Sequence, residues 1–280
     1  MTYILEAQDL SKHFGGLRAV DGVNLQVREG SLHSVIGPNG AGKTTMFNLI
    51  SGTLKPTRGR VFLRGKDITG TPLHRMAHMG IGRSFQITNI FPNLSVLENA
   101  RLAAQAMGRN SLNLWSTATR FRQYEEAAMT ALKQVGLADR AGQVASILPH
   151  GDKRKLELAI LLAAGPQVLL LDEPTAGMAS EQVPMLLDII RGIREDTGKT
   201  ILLVEHNMGI VMNVSDHITV MHQGRVLAEG SPDEIRTNPA VQEAYLGQSY
   251  TEPEMPGTAA TTATAATAAT AATGGGTENA

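Results

Sequence analysis

The sequence predicts an α/β fold in which a buried parallel sheet carries helices, an antiparallel β region precedes it, and a helical segment interrupts it. Three observations point there. Val168-Leu169-Leu170-Leu171-Asp172 and Thr200-Ile201-Leu202-Leu203-Val204 are apolar runs of strand length, separated by the helix-like segment Glu181 to Arg194; strands buried on both faces read this way. Leu32-His33-Ser34-Val35-Ile36 is a similar run that feeds a glycine-rich loop and then a helical pattern from Thr44 to Ser51, with Met46, Phe47, Leu49 and Ile50 apolar. From about Ser95 to Ala164 the chain turns rich in Ala, Leu, Glu and Arg, residues that favour helices.

In chain order, residues 3 to 36 read as β-rich, with alternation in Val23-Asn24-Leu25-Gln26-Val27 and a turn at Arg28-Glu29-Gly30-Ser31. Gly59 to Leu63 reads as a further strand. Ser95 to Ala106 and Arg122 to Val135 are the strongest helical stretches of the inserted lobe, and Lys153 to Ala164 is a third. His217 to Met221 and Arg225 to Glu229 flank Gln223-Gly224 and predict a hairpin. From Gly257 onward Thr and Ala dominate and large apolar residues almost vanish, so this stretch cannot bury enough surface to offset its ordering entropy and is expected to be disordered.

The 280 residues are 42% hydrophobic with a formal net charge of −1, ample for a core and without the basic field that nucleic acid or an acidic membrane surface would call for. No cysteine is present, which excludes disulfides and thiolate metal sites and fits a reducing compartment. Glu6 and Asp9 interrupt the N-terminus before a signal-peptide apolar region forms, so no export signal is expected. The apolar runs fall far short of the roughly 20 residues that cross a bilayer.

The loop Gly37-Pro38-Asn39-Gly40-Ala41-Gly42-Lys43-Thr44-Thr45 matches the phosphate-binding pattern G-x-x-x-x-G-K-[ST] in its expected setting between strand and helix. Its glycines let successive N–H groups turn inward around phosphate oxygens at the positive end of the helix. Lys43 adds a point charge for the β- and γ-phosphates, and the Thr44 hydroxyl is a candidate Mg²⁺ ligand. Asp172 ends an apolar strand and is the second candidate Mg²⁺ ligand; Glu173 follows as candidate general base to orient a water against the γ-phosphate. An Asp-Glu pair alone is more often an exposed strand end, and only its pairing with the phosphate loop favours chemistry. The remaining histidines, including His33, His74, His78 and His222, lack metal-ligand spacing and read as structural.

With these residues the chain resembles the ATP-binding subunits of ABC transporters over roughly Tyr3 to Gly247. The resemblance implies a phosphate-loop ATPase core of the RecA-like kind, with an N-terminal antiparallel β-subdomain and an inserted α-helical subdomain. Its boundaries are expected at residues 3–250 for the ATPase domain, with the core at 3–86 and 166–250, the helical subdomain at about 87–165 and the tail at 251–280. It further implies that Phe14 stacks on adenine, although a core aromatic is the plainer reading of that position. Gln86, in Arg83-Ser84-Phe85-Gln86, couples Mg²⁺ and nucleotide to the membrane partner. His206, after Leu203-Val204-Glu205, contacts the γ-phosphate, and Ala176 to Ala179 form the loop that follows the Asp172-Glu173 pair. Leu148-Pro149-His150-Gly151-Asp152 occupies the signature that reaches the ATP bound by the opposite subunit.

Two departures matter. The family's usual signature is Leu-Ser-Gly-Gly-Gln; here Pro149 removes a hydroxyl and an N–H, and Asp152 replaces the Gln, while Gly151 keeps its amide and His150 is a candidate substitute donor. Ala179 stands where an Asp is usual. One composite ATP site of a heterodimer is therefore expected to be weakened, and equal single-turnover hydrolysis at both sites counts against that.

Four segments resemble the branched-chain amino acid branch: Phe14 to Leu17, Met46 to Gly52, Gly80 to Gln86 and Asn238 to Gly247. The branch implies a second ATPase subunit in a heterodimer, with a homodimer as the alternative, two transmembrane permeases, a periplasmic solute-binding protein, and residence at the cytoplasmic face of the bacterial inner membrane. Within it the chain resembles the longer ATPase, partly through the segment around Trp115. The competing classes are a soluble ABC ATPase outside transport, which usually carries two cassettes or a long coiled coil, an importer of another small solute such as urea or amides, and a regulatory module without hydrolysis.

Overall fold

The computed structural model describes residues 2–84, 90–108 and 118–246, all within the unit Met1–Tyr250; Gln86, Trp115 and the Thr/Ala-rich tail lie outside them. The chain begins with β1 (Tyr3–Phe14) and β2 (Leu17–Arg28), an antiparallel pair closed by Phe14 opposite Leu17. Then come β3 (Leu32–Ile36), α1 (Lys43–Ile50), β4 (Arg58–Leu63), β5 (Lys66–Asp67), α2 (Leu73–His78) and β6 (Ile81–Arg83). Helices α3 (Val96–Ala106), α4 (Ala118–Gln134) and α5 (His150–Ala163) follow in succession. The chain closes with β7 (Val168–Asp172), α6 (Val183–Thr197), β8 (Thr200–Val204), α7 (Met208–Val214), β9 (His217–His222), β10 (Arg225–Gly230), α8 (Pro232–Arg236) and α9 (Pro239–Leu246).

Two sheets result. The first is antiparallel, in the order β2-β1-β4-β5; the second runs β10-β9-β3-β8-β7-β6, parallel from β9 to β6 with β10 antiparallel at its edge. Every residue of β3, β7 and β8 is buried, and successive side chains serve opposite faces. Leu169, Leu171, Ile201 and Leu203 join the cluster built with α3, α4, α5 and α6. Val168, Leu170, Leu202 and Val204 join α1 and the antiparallel sheet. Each fully buried Leu or Val contributes on the order of 1.5 to 3 kcal/mol, so the continuous apolar runs fix the sheet between two cores.

Helix starts follow local chemistry. Ser95 caps α3 by accepting from the Glu98 N–H at 3.1 Å. The sequence places the start of the third lobe helix at Lys153, but the helix already begins at His150, with Pro149 as its N-cap in extended backbone (φ −57°, ψ 157°). Proline tolerates that place because its missing N–H would have had no intrahelical partner. Similarly the segment from Glu181 opens with a 3₁₀ turn, Ser180–Gln182, before α6, with Pro184 in the first α-helical turn. The three-residue strand β6 has no sequence periodicity to announce it; it forms by pairing with β7 through Ile81 opposite Val168.

Candidate functional site

Strands β3, β8 and β7 are neighbours in that order and run parallel, so the segments leaving their C-terminal ends share one edge of the sheet. The edge receives the loop Gly37–Gly42 after β3, Glu205 and His206 after β8, and Asp172 with Glu173 at the end of β7. In open α/β sheets ligands bind at that carboxyl edge.

The loop is set by its glycines and by what packs under them. Gly42 has φ +96°, and a Cβ there would stand 2.3 Å from the carbonyl oxygen of Ala19 on β2. Gly37 is equally constrained, with Met221 O 2.2 Å from the place of its missing Cβ. The Ala41 N–H donates to Pro38 O at 3.1 Å and the Gly224 N–H to Ala41 O at 3.0 Å, tying the loop to the β9–β10 turn. Asn39, Gly40 and Thr44 are exposed and Thr45 half-buried. The Lys43 ammonium lies across the loop, donating to Gly37 O at 2.6 Å and Pro38 O at 3.1 Å. Burial lowers its pKa, and the carboxylates of Glu173 and Asp172 oppose that shift.

Asp172 is 3% exposed, and burial raises its pKa against the opposing pull of Arg83. Neither carboxylate oxygen has a hydrogen-bond partner among the described residues; Arg83 Nη2 approaches Oδ2 at 3.5 Å. Thr44 and Asp172 fit a hard divalent cation: one hydroxyl and one carboxylate with unused lone pairs suit Mg²⁺, which prefers oxygen ligands and keeps positions for water and phosphate. Among the described residues no group of three or more His, Cys, Asp or Glu is placed to hold a metal ion.

Glu173 sits at φ +46°, a left-handed conformation that costs a residue with a Cβ roughly 1 to 2 kcal/mol. Its N–H donates to Val204 O at 2.9 Å, and its own carbonyl accepts from the Ala176 N–H at 3.0 Å. Glu173 Oε1 lies 3.8 Å from His206 Nδ1. The loop Lys43, the Asp172-Glu173 pair and His206 are thus brought to one place.

Other expected residues stand elsewhere. Phe14 is 48% exposed at the tip of the β1–β2 hairpin, which rules out the core reading; β2 continues from that tip to Ala19, against the phosphate loop. In the segment Leu148 to Asp152, Leu148 and Gly151 are buried and Pro149 and His150 exposed. The Asp152 carboxylate is held by Arg140 Nη1 at 2.7 Å and Lys155 Nζ at 3.2 Å, so its charge is countered locally. Gln86 falls outside the described residues, and the Ala176 to Ala179 loop passes close to His150, whose ring carbon is 3.8 Å from the place of a Cβ on Gly177.

Sequence reasoning missed Arg83 and Glu205. Arg83 donates to Ser51 Oγ at 2.5 Å, Thr53 Oγ1 at 2.8 Å and Asn48 Oδ1 at 2.7 Å, and covers the Phe47 ring at 4.9 Å. It thereby links the end of α1 to Asp172. Its position at the end of a strand beside the Asp172 strand was the only available signal, and that needs strand order.

Comparison with known proteins agrees with this geometry. The ABC transporter family matches residues 20–176, and the branched-chain amino acid ATP-binding cassette transporter family matches residues 225–251. The chain is 42% identical over 251 residues to the high-affinity branched-chain amino acid transport ATP-binding protein BraF of Pseudomonas aeruginosa, covering 88% of this chain and 98% of BraF. It is 41% identical over 251 residues to the high-affinity branched-chain amino acid transport ATP-binding protein LivG of Escherichia coli, with the same coverage. The crystal structure of the ADP conformation of MJ1267, an ATP-binding cassette of an ABC transporter, superposes with a TM-score of 0.76 at 30% identity, covering 89% of this chain and all of that one. The chain therefore belongs to the ABC transporter family, as an ATP-binding and ATP-hydrolysing subunit of its branched-chain amino acid branch.

Proposed function

We propose that this chain powers the import of branched-chain or similar hydrophobic amino acids through a membrane permease. The reading is supported by the convergence of the phosphate loop, the Asp172-Glu173 pair and His206 on the ends of three adjacent parallel strands, together with the similarity to the branched-chain amino acid transport proteins BraF and LivG.

In this reading the loop Gly37 to Thr45 wraps the phosphates with main-chain amides, and Lys43 swings its flexible stem from the loop carbonyls to the β- and γ-phosphate oxygens. Phe14 offers its exposed ring to the adenine base. Thr44, Asp172 and Gln86 would hold Mg²⁺, which would neutralise phosphate charge. Glu173 accepts a proton from, and orients, the attacking water, and His206 steadies the γ-phosphate from the neighbouring strand end. The segment Leu148 to Asp152 faces a second ATPase subunit, with which each ATP is shared; ATP then favours the closed pair because it makes contacts there that the open pair lacks. With Pro149 and Asp152 in that segment, one of the two shared sites is the weaker.

No described helix is long and apolar enough to cross a membrane. In this reading contact with the membrane, at its cytoplasmic face, runs through two permease subunits, which a periplasmic binding protein supplies with solute. Glu173→Gln keeps the shape of the side chain and removes the base: ATP affinity is expected to stay within about threefold while turnover falls at least a hundredfold. Normal steady-state turnover in that variant would refute the role of Glu173. Uptake of labelled leucine into vesicles carrying the assembled transporter tests the solute.

A further inference from the structure

Glu205 is wholly buried, yet the hydrolytic reading above gives it no task. Its N–H joins the sheet through Val35 O at 3.3 Å, and its side chain turns toward the end of the neighbouring strand. Oε1 accepts from both the Thr175 hydroxyl at 2.7 Å and the Thr175 N–H at 3.3 Å. Oε2 has no hydrogen-bond partner among the described residues and lies 3.9 Å from His206 Nδ1.

Two successive residues at the end of β8 therefore grip the short turn after β7. Val204 O holds the N–H of Glu173, and the Glu205 side chain holds Thr175 two residues on. Between these anchors Glu173 is kept at φ +46°, a conformation that persists only where the surroundings over-determine it. A carboxylate is a costly group to bury for this purpose, and burial raises its pKa against the Thr175 hydrogen bonds. An apolar residue would fill the space but offer Thr175 no acceptor.

We propose that Glu205 is a positioning residue of the hydrolytic site: its carboxylate clamps Thr175, and with it the strained Glu173 turn, onto the strand end that carries His206. The clamp sets where the Glu173 carboxylate points relative to the His206 imidazole, and so acts on the rate of cleavage rather than on nucleotide binding. This rests on Glu173 being the base.

The test uses the full chain paired with its second ATPase subunit, whose own hydrolytic base is disabled, with single-turnover ATP hydrolysis and equilibrium binding of a fluorescent ATP analogue. Glu205→Ala is expected to lower the hydrolysis rate at least tenfold while nucleotide Kd changes less than threefold. Thr175→Val, which deletes the stronger of the two hydrogen bonds and keeps the volume, is expected to lower it about three- to tenfold. The double variant is expected to be no slower than Glu205→Ala, and Glu205→Gln, whose amide oxygen still accepts from Thr175, to recover most of the lost rate. The clamp is overturned if Thr175→Val hydrolyses ATP at the unaltered rate, if the two single effects multiply in the double variant, or if Glu205→Gln is as slow as Glu205→Ala. Should Glu205→Ala fail to fold, Thr175→Val and Glu205→Gln decide alone. Glu173→Gln, run alongside, separates the two ideas: its full activity sinks the base assignment, whereas its inactivity beside a fast Thr175→Val sinks only the clamp.

Discussion

His33 gives a sharp prediction about stability. It lies inside β3, 1% exposed, with Nε2 2.8 Å from Thr219 Oγ1 and its ring edge-on to His217 at 4.9 Å. The Thr219 hydroxyl donates its one proton to Glu229 Oε1 at 2.9 Å, so His33 Nε2 carries the ring proton and donates. A second proton would put a cation in the core, and burial, reinforced by His217, pushes the pKa down from 6.5 to about 3. Between those values the folded chain binds fewer protons than the unfolded one, so stability rises with pH across the window and is lost as pH falls through it. At pH 5 the folded imidazole is still neutral while the unfolded one is almost fully charged. From pH 7.5 to pH 5 this group alone removes about 2 kcal/mol, a value set by the unfolded imidazole and worked from 1.36 kcal/mol per pH decade. Urea unfolding of the wild-type chain and His33→Gln at both pH values isolates the effect. With a slope of roughly 3 kcal/mol per molar urea, the wild-type midpoint should fall about 0.7 M further than that of the variant. Parallel losses in the two proteins would refute the buried neutral imidazole.

Arg83→Met leaves the buried Asp172 without its cation and breaks the bonds to Ser51, Thr53 and Asn48; the expected loss is about 3 kcal/mol of unfolding free energy, and a denaturant curve displaced by under about 1 kcal/mol counts against the pairing. Gly42→Ala sets a methyl group against the Ala19 carbonyl at a backbone angle that alanine resists; ATP affinity is expected to drop more than tenfold with the far-ultraviolet circular dichroism retained, and unchanged binding would show that the loop is not fixed by that contact.

Much of the fold was legible because its determinants are local. The runs Leu32–Ile36, Val168–Asp172 and Thr200–Val204 are strands with the bounds that their hydrophobicity implies, since a strand buried on both faces needs no partner to be recognised. Helix starts were less legible: Pro149 suits the opening of the helix expected from Lys153, yet the helix already starts at His150, one residue after it. The loop from Gly37 to Thr45 was readable because its residue types are demanded by its own backbone. Glu205, by contrast, is in the sequence one acid beside a histidine, and Arg83 one base two places before an aromatic, with no local pattern to single out either.

The amino-acid order by itself determined the strand, glycine turn and helix around Lys43, the apolar strands ending in Asp172 and Val204, and the acid that follows each of those strands. Only the tertiary structure decided that Glu205 faces Thr175, 30 residues away, that Arg83 pairs with Asp172, and that Glu173 is held in a left-handed turn. Periodicity and turn chemistry act over a few neighbours, whereas these meetings depend on β7 lying between β8 and β6, an order set by the packing of two cores against one sheet.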